Sequence, residues 1–300
     1  MMSLLTPSNT YSPEKLRADY DKLVKVSPSL PVSCHKREGV VMIEHFQPHF
    51  WETESSTGES IAKLWNNPEI RKKAEDRTAK HYKTIYKSEI RRNLAFYSKA
   101  VLPTIYRPVL TKGIVMKYKA KKILDPCVGW GGRLLGTLCI PETTFTGIEP
   151  YSKTYNGLQE IARSAGVANR CFLHCDGAEA ILPSLPSGEY DMVLTSPPYF
   201  TLEIYGNEDT QSINKFHTWD DWCEGFLKVV IRECVRCLKP GGISAWSVKN
   251  MPKYKLKDKV QEYHKEVGFA LVATEGMTST PRNSGKEAKI NEETFIFKKE

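Results

Sequence analysis

The chain has 300 residues, 40% hydrophobic and 26% charged, with a mean hydropathy of -0.42; these are ordinary values for a folded globular protein and exclude a fibre or a globally disordered chain. No apolar run approaches the ~18 residues of a membrane span, and the opening Met-Met-Ser-Leu-Leu-Thr-Pro lacks a basic leader and apolar core, so a cytoplasmic, reducing location is expected. Net charge is +8, yet residues 61–122 hold 17 Lys/Arg against 4 Asp/Glu, residues 1–60 hold 6 against 8, and residues 123–300 hold 20 against 23.

The positive excess therefore lies in one segment, a pattern that attracts polyanions, nucleic acid foremost. Residues 1–60 mix turn formers with a helix expected after Ser12-Pro13-Glu14, where Ser caps and Pro fits the first turn. From Asn67-Pro68 to Leu102-Pro103 there is no internal Pro or Gly, and Ile70, Ala74, Ile85, Leu94 and Val101 recur at helical spacing, predicting one long helix or two with a break. Lys80, Lys83, Lys87, Arg91 and Arg92 of this stretch are candidate phosphate contacts. The interleaved His81, Tyr82, Tyr86, Phe96 and Tyr97 suit either stacking on bases or core packing.

After Lys122 short apolar runs alternate with helical patterns, as in a parallel sheet built from βαβ units. Strands are expected at Lys122–Asp125, Thr144–Glu149, Arg170–His174, Asp191–Thr195, Gly242–Val248, Phe269–Thr274 and Thr294–Lys298, with helices near 131–139, 152–165, 218–237 and 254–266. This gives an α/β chain: a seven-stranded, mostly parallel Rossmann-like sheet at 119–300 behind a basic, mainly helical region at 1–118. Eight cysteines are too few for a disulfide scaffold. Cys234-Val-Arg-Cys237 has zinc half-site spacing but lies in an amphipathic helical pattern, so no metal is expected.

Ile123-Leu124-Asp125-Pro126-Cys127-Val128-Gly129-Trp130-Gly131-Gly132 reads as a strand entering a glycine-rich turn that opens a helix. Glycine lets the backbone approach a ligand, and helix-terminal N–H groups bind its polar part. Glu149 ends the next strand, where a carboxylate can accept both hydroxyls of a ribose. Asp176, in Cys175-Asp176-Gly177, follows the third strand and suits an adenine amino group.

On these residues the chain resembles the class I S-adenosylmethionine-dependent methyltransferases over about residues 120–300. Leu238-Lys239-Pro240-Gly241-Gly242 is similar to that family's turn into its fifth strand. The resemblance implies S-adenosyl-L-methionine as cofactor, held by Asp125, Pro126, Cys127, Gly129, Gly131, Glu149, Asp176, Gly177 and Ser196. Ser196-Pro197-Pro198-Tyr199, closing the fourth strand, resembles the motif of enzymes that methylate exocyclic amino groups, and its Ser form resembles the N4-cytosine DNA methyltransferases.

The chemistry of those four residues can be rationalised directly. The lone pair of an aromatic amine is delocalised into the ring, so a site must orient it toward the methyl donor. Ser196 Oγ and the rigidly held Pro197 carbonyl can accept both amino hydrogens, and Tyr199 can stack on a base swung out of its helix. Transfer is then direct, with no covalent enzyme intermediate. Adenine N6 in DNA, a base in RNA, and a catalytically silent nucleic-acid-binding subunit are the other readings of the same residues.

The glycine turn precedes the Ser-Pro-Pro-Tyr motif by about seventy residues, all consumed by the sheet, and about fifty follow the fifth strand. No separate target-recognition domain is expected from this spacing. Target reading then falls to the basic region and to the loop Thr201–His217, with Phe200, Glu203, Tyr205 and Gln211 as candidate nucleic-acid contacts. Trp219 and Trp222, at i and i+3, read as packing.

Overall fold

The computed structural model describes residues 6–54, 58–98, 100–278 and 290–299. The apolar runs form one sheet of eight strands: β1 Val32–Ser33, β2 Lys122–Asp125, β3 Thr144–Ile148, β4 Cys171–His174, β5 Tyr190–Thr195, β6 Leu238–Ser247, β7 Phe269–Thr278 and β8 Ile290–Lys299. Their spatial order is β1-β7-β8-β6-β5-β2-β3-β4. Every pairing is parallel except the two made by β8, which lies antiparallel between β6 and β7. The expected count of seven is corrected to eight by β1, which pairs Val32 with Met277. Two residues are too few to show a period-2 pattern in sequence.

Alternation along the strands divides the core in two. Ile123, Met192 and Leu194 point to one side of the sheet and Leu124 and Val193 to the other, all at most 1% exposed. On the first side the core also takes in residues of α1 Pro13–Lys25, capped by Ser12 as expected, and of α2 Val40–Phe46, which pack on one another. Three further helices, α3 Ile61–Trp65, α4 Pro68–His81 and α5 Lys87–Ser98, surround a small core of their own that includes Trp65, Ala74, Ile90 and Leu94. The long basic stretch is thus two helices broken at residues 82–86.

Then α6 Pro108–Lys117 returns to the sheet, where Lys112 Nζ donates to the carbonyls of Leu23, Val24 and Val26 at 2.7–3.0 Å and so caps the end of α1. A division at 118/119 therefore differs from the packing, because α1, α2, α6 and β1 share a core with β2, β3 and β5. The remaining helices are α7 Gly132–Leu138, α8 Ser152–Ser164, α9 Ala178–Ile181, α10 Ser212–Lys215, α11 Trp219–Trp222, α12 Lys228–Cys237 and α13 Leu256–Glu266. A π-turn at Cys223–Leu227 joins α11 to α12. Cys234 and Cys237 are buried in α12 as free thiols.

Candidate active site

The chain leaves β2 for β3 on one side, while β5, paired to the other side of β2, continues outward to β6. Loops after the carboxyl ends of β2 and β5 diverge at such a switch point and open a crevice. Here the crevice is a cavity of about 650 Å³ whose wall includes Pro126 to Trp130, Glu149, Gly177 and Ser196 to Phe200.

The turn after β2 is built from within. Asp125 is fully buried, accepting from Arg133 Nε at 2.7 Å and from the Cys127 backbone N–H at 3.2 Å. Arg133, at the start of α7, also donates to the carbonyls of Cys127 and Val128. Asp125, expected as a cofactor contact, is not among the residues that line the cavity, and its carboxylate supports the turn through the ion pair with Arg133. Gly129, at φ 58°, has open space where a Cβ would sit. Gly131, at φ 99°, is a packing glycine, since a Cβ there would meet Leu158 at 2.8 Å. Gly132, which does line the cavity, would drive a Cβ to 1.9 Å from the Tyr106 carbonyl oxygen.

Glu149, at the end of β3, is 6% exposed, and its two oxygens accept the backbone N–H groups of Gly129 at 2.9 Å and Tyr151 at 3.0 Å. Burial pushes this carboxyl up to about 7, opposed by those two hydrogen bonds. A carboxylate has roughly four lone-pair sites, so both oxygens retain capacity to accept from a ligand. Asp176 lies just outside the wall that Gly177 and Ala178 form, its Oδ1 accepting from the Gly177 N–H at 2.6 Å.

Ser196, Pro197, Pro198 and Tyr199 follow β5 directly and all line the cavity. Burial pushes the Tyr199 hydroxyl up to about 12, so it stays protonated, and Lys249 Nζ lies 5.9 Å from its ring centre. Phe200, at φ 52°, forms part of the cavity wall while it is 4% exposed and packs edge-on against Trp219 and Tyr254. Trp219 and Trp222 stack on one another as packing residues.

The loop after Phe200 is strapped across the cavity. Ile204 exchanges both backbone hydrogen bonds with Glu54, Thr210 Oγ1 donates to the Pro150 carbonyl at 2.8 Å, and Glu208 accepts from the Ser152 N–H at 2.9 Å. Tyr205 donates to Glu203 and packs edge-on against Trp130. Burial raises the Glu203 carboxyl. Glu203, Tyr205 and Gln211 all line the cavity.

The basic candidates separate. Lys80, Lys83 and Arg92 are exposed, Arg92 paired with Glu89 at 2.7 Å. Lys87 is half-buried and donates to the Ser8 carbonyl. Arg91 is corrected from a phosphate contact to a packing residue: 7% exposed, it donates to the Pro7 carbonyl at 2.6 Å and lies 4.2 Å over the Trp51 ring. Sequence reasoning missed Tyr106, Lys249 and Glu292, which reach the cavity from α6's approach, the end of β6 and β8. Only Gly132, in the Gly-Gly pair, carried a signal that could have been read.

A family model for N6 and N4 methyltransferases, described as DNA methylase, matches residues 190–300, a little over a third of the chain. No curated protein matches the chain. Among solved structures it is similar to TrmN from Thermus thermophilus, at 18% identity over 64% of this chain and 48% of that one, with a TM-score of 0.43. It is also similar to a SAM-dependent O-methyltransferase from Thermotoga maritima, at 13% identity over 69% and 70%, TM-score 0.46. A methyltransferase from Geobacter sulfurreducens overlaps at 11% identity over 69% and 85%, TM-score 0.43. The chain spans about half the length of TrmN, and TM-scores below 0.5 bear on neither substrate nor partner. S-adenosyl-L-methionine is the cofactor that accompanies the methylase match, and the open Gly129 turn beside the anchored Glu149 carboxylate fits it.

Proposed function

We propose that this chain is a DNA methyltransferase that transfers a methyl group from S-adenosyl-L-methionine to the exocyclic N4 amino group of cytosine. The observation that carries the reading is the meeting, in one cavity at the β2/β5 switch point, of the glycine turn, Glu149 and Ser196-Pro197-Pro198-Tyr199. The cofactor supplies an electrophilic methyl group when bound. Glu149 would accept the ribose hydroxyls, and Gly129 would let the backbone approach the cofactor's chain. Gly177 and Ala178 would border the adenine, with Asp176 beside them.

Ser196 Oγ and the Pro197 carbonyl accept the two amino hydrogens and so direct the nitrogen lone pair, with Pro197 and Pro198 holding that carbonyl rigidly. Tyr199 presents a ring for the extruded base, and as a neutral phenol it adds no charge beside it. Water exclusion comes from the strapped loop 201–211. The Ser at position 196 favours cytosine over adenine N6 or a base in RNA. The test is transfer of labelled methyl into duplex DNA, single-stranded DNA and RNA, followed by digestion to nucleosides; label on N4-methylcytosine from DNA is expected, and label on adenine or in RNA alone overturns the assignment.

A further inference from the structure

Among the described residues, six of the twelve exposed large hydrophobic side chains fall within 82–102: Tyr82, Ile85, Tyr86, Phe96, Tyr97 and Leu102. Half of these exposed side chains are thus concentrated on α5 and the segments that flank it, and such a concentration marks a surface that something covers. Core packing does not account for these rings. The small core of this region is made by Trp65, Ala74, Ile90 and Leu94, while Phe96 remains 65% exposed and Tyr86 60% exposed.

The same segment is cationic. Residues 68–98 hold nine Lys/Arg against four Asp/Glu. Lys72, Lys73, Lys80 and Lys83 are exposed and make no ion pair with any described residue. Arg77 places its guanidinium 4.2 Å from the Phe96 ring centre and 5.9 Å from that of Tyr97, so it backs both rings with positive charge. Phe96 and Tyr97 meet edge to face at 5.5 Å.

Rings alternating with free lysines select the occupant. Protein interfaces are depleted in lysine where aromatics cluster. A nucleic-acid duplex offers phosphates but keeps its base faces stacked, so it would leave the rings uncovered. A single strand offers both phosphates and base faces. We propose that α4, α5 and the segment 82–86 joining them form a binding face for unpaired nucleic acid, with bases on Tyr82, Tyr86, Phe96 and Tyr97 and phosphates on the exposed lysines. This deepens, and rests on, the nucleic-acid reading above, but not on methyl transfer.

The helices that carry the face are packed, through buried side chains, against a residue of the cavity wall. Arg91 of α5 lies over Trp51, Trp51 meets Phe50 at 4.7 Å, and Phe50 meets the cavity residue Trp130 at 5.0 Å. A strand held unpaired at this face has already lost the stacking that otherwise opposes entry of a base into the cavity.

The experiment is fluorescence anisotropy with the full chain, without cofactor, on a labelled oligothymidine strand and a labelled duplex of equal length across a salt series. The single strand is expected to bind roughly tenfold tighter or more, the scale of one or two stacked bases. Phe96→Ser with Tyr97→Ser, and separately Tyr82→Ser with Tyr86→Ser, should each lower single-strand affinity roughly tenfold with the salt slope and Tm unchanged. Lys80→Ala with Lys83→Ala should instead lower the slope by about 0.7 per lost phosphate contact. Equal affinity for strand and duplex, or wild-type affinity in both aromatic variants, overturns the proposal. Methyl transfer is measured separately on the same preparations, so a chain that prefers single strands without transferring methyl fails the reaction assignment alone, and one that methylates without that preference fails this inference alone.

Discussion

Glu149 offers a test in which stability and cofactor affinity respond to pH with opposite signs. Its carboxyl is pushed by burial from 4.5 to about 7. As pH rises through that window the unfolded chain ionises first, so the fold loses stability. The loss reaches about 3 kcal/mol once both states are ionised, because each tenfold weakening of acidity is worth ~1.4 kcal/mol. Below 4.5 the group contributes no difference, and above 7 the loss is complete. With Glu149 in its proposed role, cofactor binding should run the other way, because the ribose hydroxyls would donate to the ionised form. At pH 6 about one tenth of the free protein is ionised at this site, so affinity for S-adenosylhomocysteine should be roughly tenfold weaker than at pH 8.

Glu149→Gln removes the titration. Its amide must point an NH2 at either the Gly129 or the Tyr151 N–H, a mismatch worth about 1–3 kcal/mol, so the absolute stability of the variant says little. The difference between the two proteins does: the pH dependence of urea midpoints between pH 4.5 and 8 should be steeper for the wild type by the amount above. His49, which packs against Trp130 and Tyr151, is pushed by burial down to about 4 and contributes nothing to binding between pH 6 and 8. Calorimetry of S-adenosylhomocysteine at pH 6, 7 and 8 on both proteins supplies the second curve. A wild-type affinity that varies less than twofold, or a tenfold variation that persists in Glu149→Gln, would refute the assignment of this carboxylate to the ribose.

Ser196→Ala should lower single-turnover methyl transfer by about 10²–10³ with wild-type affinity for S-adenosylhomocysteine, and Tyr199→Ala should weaken both transfer and productive DNA binding; two variants at the wild-type rate would misplace the active site. Arg133→Met leaves the fully buried Asp125 unpaired and should cost about 3–5 kcal/mol in urea unfolding, whereas an unchanged midpoint would mean the pair does not hold the turn. Gly132→Ala should fail to give soluble, cooperatively folded protein, since its Cβ meets the Tyr106 backbone, while Gly129→Ala should fold at a cost of about 1 kcal/mol of backbone strain and lose cofactor affinity. Arg91→Ala should lower Tm without changing the salt slope of DNA binding, in contrast to exposed Lys80 and Lys83.

Whatever is encoded locally was legible in the sequence. Strand β2 with its glycine turn, Glu149 at the end of β3, and Ser-Pro-Pro-Tyr at the end of β5 are each short, contiguous patterns, and a period-2 or 3.6 pattern fixes which face of an element is apolar without knowledge of its partners. The strands themselves followed from those patterns, apart from β1, whose two residues carry no period. Side chains whose partners are distant in sequence took their roles from the assembled fold. Arg91 and Arg92 are adjacent and chemically identical, yet one lies buried over Trp51 and the other in solvent, because helical rotation of about 100° per residue and the path of residues 7–8 settle the matter. Asp125 reads as a ligand until Arg133 is seen against it, and Tyr106, Lys249 and Glu292 join the cavity from segments with no motif at all. Burial is a property of the assembled chain, and no window of sequence contains it.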